Sequence, residues 1–145
     1  MTRENIKLLK LLHRNYVRSR HPEMPESFLP TREYSDKTAN GLTKCIIDFL
    51  TFSGWQAERI NTMGKYDVHR KRWIKGTGTK GSADISATIM GKSVKIEIKI
   101  GKDRQSEDQK AYQQMIERAG GIYIIAKDFD GFMFWYQEFE LNNTI

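Results

Sequence analysis

Hydrophobic positions follow different periods in different parts of this chain. Residues 3–19 place Ile6, Leu9, Leu12 and Tyr16 at helical spacing, with Lys7, Lys10, Arg14 and Arg18 elsewhere, which predicts a basic amphipathic helix. Pro22, Pro25 and Pro30 then impose an irregular connector through about Ser35. A second helix is predicted from about Thr38 to Phe52, with Leu42, Cys45, Ile46, Phe49 and Leu50 on one side and Gly54 beyond its end. WQAERI (55–60) reads as a strand. Residues 61–80 show no period and read as a glycine-punctuated basic loop.

From Ala83 the period changes to two. ADISATIM and SVKIEIKI flank Gly91-Lys92, and glycine first in a two-residue turn suits type II′. That turn sets Met90 opposite Ser93, Ile89 opposite Val94 and Asp84 opposite Lys99. One face then carries Ile85, Ala87, Ile89, Val94, Ile96 and Ile98, and the other Asp84, Ser86, Thr88, Lys95, Glu97 and Lys99. Past the turn GKDRQ, Ser106 and Gln109 form a capping box opening a helix whose expected buried stripe is Tyr112, Met115, Ile116 and Ala119. Gly120-Gly121 stop it. IYIIA (122–126) reads as a strand of the kind buried on both faces in a parallel sheet, completing a right-handed βαβ crossover. Asp128 or Asp130 can cap a last aromatic segment, Phe132 to Phe139, whose period suits helix or strand. The expected fold is α/β around a mixed sheet, with residues 1–36 as basic helix and connector and 37–145 as the core domain.

Composition narrows the partners. Over 145 residues, 24 Lys+Arg against 18 Asp+Glu give a formal charge of +6, which points to a polyanion, nucleic acid before anionic membrane. A single cysteine, Cys45, excludes an intramolecular disulfide and a cysteine-rich zinc site, and its apolar neighbours mark it as core. No apolar run approaches the ~18 residues of a membrane span, and the first residues mix charge into their apolar positions, unlike a signal peptide. A soluble intracellular protein is expected.

The alternating face can also do chemistry. Lys95, Glu97 and Lys99 alternate with buried isoleucines, as any solvated sheet face would. Yet the hairpin brings Asp84 beside Glu97 and Lys99 at its open end. Two carboxylates there, with the carbonyl of Ile98, can supply oxygen ligands to Mg²⁺ or Mn²⁺. Lys99, on the same face, stands where a cation can hold a water or neutralise a phosphate during phosphodiester hydrolysis.

Asp84 followed by Glu97-Ile98-Lys99, on a hairpin leading into a βαβ crossover, resembles the PD-(D/E)XK nuclease superfamily. KGSAD (80–84), EIKIGKDRQSEDQ (97–109) and AGGIYIIA (119–126) are similar to its virus-type replication-repair nuclease (VRR-NUC) family, over roughly residues 40–127. The resemblance implies a restriction-endonuclease-like core and a Mg²⁺- or Mn²⁺-dependent nuclease. Asp84 and Glu97 would be its metal-binding acids, Lys99 its catalytic lysine and Gln109 the glutamine of its site. It also implies roles in replication, repair or recombination, often in viruses or mobile elements. Ala83 stands where the motif has proline. Many members carry an acid on the first core helix, whereas Thr38-Ala39-Asn40-Gly41-Leu42-Thr43 contains none and Asp48 lies further along. Whether one metal or two would bind is left open.

Arg59, Lys65, Arg70, Lys71, Arg72, Lys75 and Lys80 lead up to Asp84, and Lys102 and Arg104 follow Lys99. All are candidates for holding a phosphate backbone. Gly76, Gly78 and Gly81 spell G-x-G-x-x-G, but this stretch opens a strand rather than a helix, so no dinucleotide or other small-molecule cofactor is expected. His13, His21 and His69 are too scattered for a metal site. The expected activity is DNA hydrolysis directed by backbone or branched shape, such as flaps. An RNA-cutting relative and a non-catalytic nucleic-acid-binding module are the alternatives, and a homodimer stays open.

Overall fold

The computed structural model describes residues 2–60, 65–74 and 79–144. Its order is α1 (Thr2–Arg20), α2 (Ala39–Phe52), β1 (Gln56–Arg59), β2 (Lys65–Asp67), β3 (Arg72–Ile74), β4 (Ile85–Ile89), β5 (Lys92–Ile98), α3 (Glu107–Arg118), β6 (Ile122–Ala126) and α4 (Phe129–Asn143), with a 3₁₀ turn at Glu26–Phe28. β1, β4, β5 and β6 form a four-stranded sheet in that spatial order. The first three pair antiparallel and β6 joins β5 in parallel through α3, so the sheet is mixed.

The apolar face follows the alternation. Ile85, Ala87, Ile89, Val94, Ile96 and Ile98 are buried against Leu42, Cys45, Ile46, Phe49 and Leu50 of α2, Leu9 of α1, and Phe129 and Phe132 of α4. Burial pushes the Cys45 thiol up to about 12, which leaves it an unreactive core group. Thr38 caps α2 by accepting from Gly41 N. Asp128 caps α4 by accepting from Gly131 N at 2.7 Å, and the aromatic segment is helical, with Phe129, Phe132, Met133, Tyr136 and Phe139 buried. α1 lies on this layer too, Tyr16 packing on Phe52 at a centroid distance of 4.8 Å. Its cations hold the connector: Lys10 pairs with Glu33 at 2.8 Å, and Arg14 and Arg18 both pair with Glu26.

The opposite face is covered by α3, through a small cluster of Ala83, Tyr112 and Tyr123 with Ile116 packed against it. Four sequence expectations need correction. Residues 65–74 are not irregular, because Lys65–Asp67 and Arg72–Ile74 pair as an antiparallel ribbon. Tyr66, Val68 and Trp73 stand exposed there, so no buried stripe marked those strands. Strand β6 is a sheet edge, and Ile125 is exposed rather than buried. Met115 of α3 and its C-cap Ala119 are exposed, since the helix turns Tyr112 and Ile116 to the small cluster instead.

The β4–β5 hairpin also pairs in a different register. Ile89 lies opposite Lys92, Ala87 opposite Val94 and Ile85 opposite Ile96, two residues away from the expected pairing. Met90 and Gly91 are the turn residues, with φ of 51° and 77°. Positive φ at both central positions is type I′, which takes glycine second and matches the strands' twist. An even shift leaves every side chain on its expected face. It changes who sits opposite whom.

Candidate active site

One residue beyond the Ile85–Ile96 pair of that register, Asp84 falls opposite Glu97 rather than opposite Lys99. The strand end is held by the acid itself, since Asp84 Oδ2 accepts from Ile98 N at 2.7 Å. On the other side Ile60 N donates to the Asp84 carbonyl at 2.8 Å, tying in the end of β1. Lys99 N donates to the Ala126 carbonyl at 3.0 Å, so β6 fixes the lysine's backbone. Three neighbouring strands therefore set the positions of Asp84, Glu97 and Lys99.

Helix α3 supplies the fourth group. Ser106 Oγ accepts from Gln109 N at 3.2 Å, and the side-chain Oε1 of Gln109 accepts from Ser106 N at 2.8 Å, closing the capping box. Its amide nitrogen remains available and donates to Glu97 Oε1 at 2.9 Å. One glutamine thus opens the helix and orients the acid. Lys99 Nζ lies 3.5 Å from the same Glu97 oxygen and 3.5 Å from Asp103 Oδ2. Asp103, unassigned by sequence reasoning, stands four residues after Lys99 in the turn. Gln105 was also missed: its amide donates to Gln113 at 2.8 Å and to the Tyr123 hydroxyl at 3.2 Å beneath the site. Burial pushes the Tyr123 phenol up to about 12, so it remains neutral.

A merely solvated face would expose these groups. Glu97 is only 3% exposed and Lys99 6%. Lys95, on the same face nearer the turn, donates instead to Ser86 Oγ at 2.6 Å. Burial, then the Asp84 charge, raises the Glu97 carboxyl to about 8, with Lys99 opposing. Glu97 Oε2 is buried, and among the described residues no donor reaches it. Two facing carboxylates and an undonated buried oxygen are a lone-pair-rich place that a proton or a cation would neutralise. Among the described residues no group of three or more His, Cys, Asp or Glu side chains gathers as a ready-made metal cage. The oxygens that could hold a cation here are those of Asp84 and Glu97, with the Ile98 carbonyl as the expected third, a small set that would suit an ion such as Mg²⁺ that keeps several waters.

Glycine has a definite purpose at position 81. A Cβ there would lie 2.3 Å from the Asp108 carbonyl oxygen, and φ is +78°. The loop before Asp84 therefore rests directly on the first turn of α3, where Lys80 pairs with Asp108 at 3.4 Å. Gly81→Ala is expected to lower stability by about 1–3 kcal/mol in urea denaturation. An unchanged midpoint would contradict this close approach. Gly76 and Gly78 of the same motif lie outside the described residues.

The structure does not gather all the basic candidates. Arg59 donates to Asn40 Oδ1 at 2.6 Å, joining β1 to the start of α2. Arg70 pairs with Asp67 at 3.7 Å, and Lys71 and Arg72 are exposed on the β2–β3 ribbon. Lys102 and Arg104 are exposed in the turn after β5. Lys75 and the side chain of Lys65 lie outside the described residues. Asp48 accepts from Arg32 at 2.8 Å and from Tyr34 at 2.7 Å, so its carboxylate is already engaged. No family model matches the chain, and no curated protein or solved structure shows significant similarity to it. Among the described residues no helix is long and apolar enough to cross a membrane.

Proposed function

We propose that this protein is a metal-dependent nuclease that hydrolyses DNA phosphodiester bonds, on a restriction-endonuclease-like variant of its mixed α/β sheet. The observation that carries the reading is the buried Glu97, facing Asp84 with Lys99 Nζ 3.5 Å away. Burying Glu97 and Lys99 beside a half-buried Asp84 is costly unless each has a partner. Among the described residues the acids have one cation between them, Lys99, and that cation is shared with Asp103. A site left short of positive charge is complementary to a divalent ion.

Asp84, Glu97 and the Ile98 carbonyl would hold Mg²⁺ or Mn²⁺, which when bound supplies Lewis-acid activation to the phosphodiester. Lys99 would hold the attacking water or neutralise charge on the phosphate as one P–O bond forms and the other breaks. Gln109 keeps the Glu97 carboxylate turned toward the site. Exposed Arg70, Lys71, Arg72, Lys102 and Arg104 would add phosphate-binding charge, and no helix or strand among the described residues is marked out as a base reader, which favours recognition of DNA shape, as at flaps or branches.

Purified protein incubated with linear, flapped, four-way and single-stranded DNA is expected to cut at least one of them with Mg²⁺ or Mn²⁺, and none in chelator. Intact substrates throughout would defeat the proposal. Replacing Arg70, Lys71 and Arg72 with alanine is expected to weaken DNA binding similarly across sequences. The dependence of log affinity on log salt should flatten by about one unit per lost phosphate contact. An unaltered salt slope would remove the ribbon from the DNA-binding surface.

A further inference from the structure

The β2–β3 ribbon carries more than charge. Tyr66 and Trp73 are directly opposed cross-strand partners, so their side chains project from the same side of the ribbon. Both rings face solvent, Tyr66 being 55% and Trp73 64% exposed. Large exposed aromatics side by side mark a contact surface. The turn beyond them is ordered by Asp67, whose Oδ1 accepts from His69 N at 2.9 Å and Arg70 N at 3.2 Å. That turn displays Arg70 and Lys71, with Arg72 following on β3, all exposed.

A partner must therefore offer flat apolar faces and closely spaced negative charge. Unpaired nucleotides offer both, their bases stacking on aromatic rings while the phosphates meet arginine and lysine. A continuous duplex keeps its base faces within its own stack. An apolar protein surface would fit the rings but not the cations of the turn, in a chain whose formal charge is +6. We propose that the β2–β3 ribbon is a stacking platform for unpaired bases, with Tyr66 and Trp73 as the stacking residues and Arg70 and Lys71 of its turn holding the adjoining phosphates. This rests on the nucleic-acid reading above and deepens it. The ribbon would direct the enzyme to DNA that contains single-stranded segments, such as a flap or an open junction.

The test is binding of the full chain in chelator, by fluorescence anisotropy, to a labelled oligothymidylate and to an abasic strand of the same length. The parent is expected to prefer the oligothymidylate by about tenfold or more. Tyr66→Ala/Trp73→Ala should lose that preference while binding the abasic strand as before, and Tyr66→Phe/Trp73→Phe should keep it. Oligothymidylate, unlike the abasic strand, should also quench tryptophan fluorescence in the parent, and Trp73→Phe should abolish the quench. The quench keeps the test decisive if the double alanine variant fails to fold. Equal parental affinity for the two strands, or a preference surviving in the alanine variant, would overturn the platform. The two readings fail separately. A base preference with no cleavage of any substrate in Mg²⁺ or Mn²⁺ sinks the nuclease and leaves the platform standing. Cleavage with no base preference does the reverse, and binding to neither strand overturns the platform.

Discussion

Glu97→Gln is expected to reduce DNA cleavage by orders of magnitude while making the metal-free protein more stable at pH 8. Both effects come from one buried carboxyl. Glutamine keeps the shape and can still meet Gln109, but it removes a charged metal ligand, so turnover collapses and DNA binding survives. For stability the sign is set by the carboxyl's rise from its ordinary 4.5 to about 8, driven first by burial and then by Asp84. The folded state thus holds this proton more tightly than the unfolded state does. Its contribution is fully present below pH 4.5 and is lost as pH climbs through about 8, by at most ~1.4 kcal/mol per pH unit. Glutamine imitates the protonated form and cannot be deprotonated. In chelator, melting curves of parent and variant should diverge between pH 6 and 8.5, with the variant higher at the alkaline end. Because a divalent ion must displace the same proton, Mg²⁺ should restore the parent most at high pH. Undiminished cleavage by the folded variant would dismiss Glu97 from the site. Parallel melting curves would show that its burial does not perturb it.

Lys99→Ala is the second large effect, and Lys95→Ala is its control. The lysines share the polar face, about 13 Å apart at strand rise. Their surroundings differ: Lys99 is buried within 3.5 Å of Glu97 and of Asp103, whereas Lys95 donates to Ser86. Single-turnover assays at saturating metal and enzyme should show Lys99→Ala cutting slower by about a hundredfold or more, as when a preorganised charge-stabilising group is lost. Lys95→Ala should cut almost normally. Removing Lys99 also takes the nearest cation from Glu97, which raises that carboxyl further, so the variant should need higher pH or more metal to regain any activity. Equal losses from the two lysines would mean that the lysine's place beside the acids has no part in catalysis.

Much of this architecture could be read from local pattern because its cause is local. The capping box at Ser106 and Gln109, the Thr38 cap and the period-two faces of β4 and β5 depend on residues a few positions apart. Those faces were enough to place Asp84, Glu97 and Lys99 on one side of the sheet. Alternation has a period of two, however, and cannot distinguish registers that differ by two residues. The Met90-Gly91 turn, with β1 pairing on one side and β6 on the other, decided that Asp84 opposes Glu97. The same limit hid the β2–β3 ribbon, whose aromatic residues face water and so leave no burial pattern. Sequence could nominate Gln109 as a capping residue and as a site residue, but not that one amide does both, since its reach to Glu97 depends on how α3 docks. Burial, too, belongs to the assembled fold. Glu97 and Lys99 read as an ordinary polar face until the assembled fold buries them and α3 sets Gln109 on Glu97, and only then does the carboxyl's charge state become a property of its surroundings.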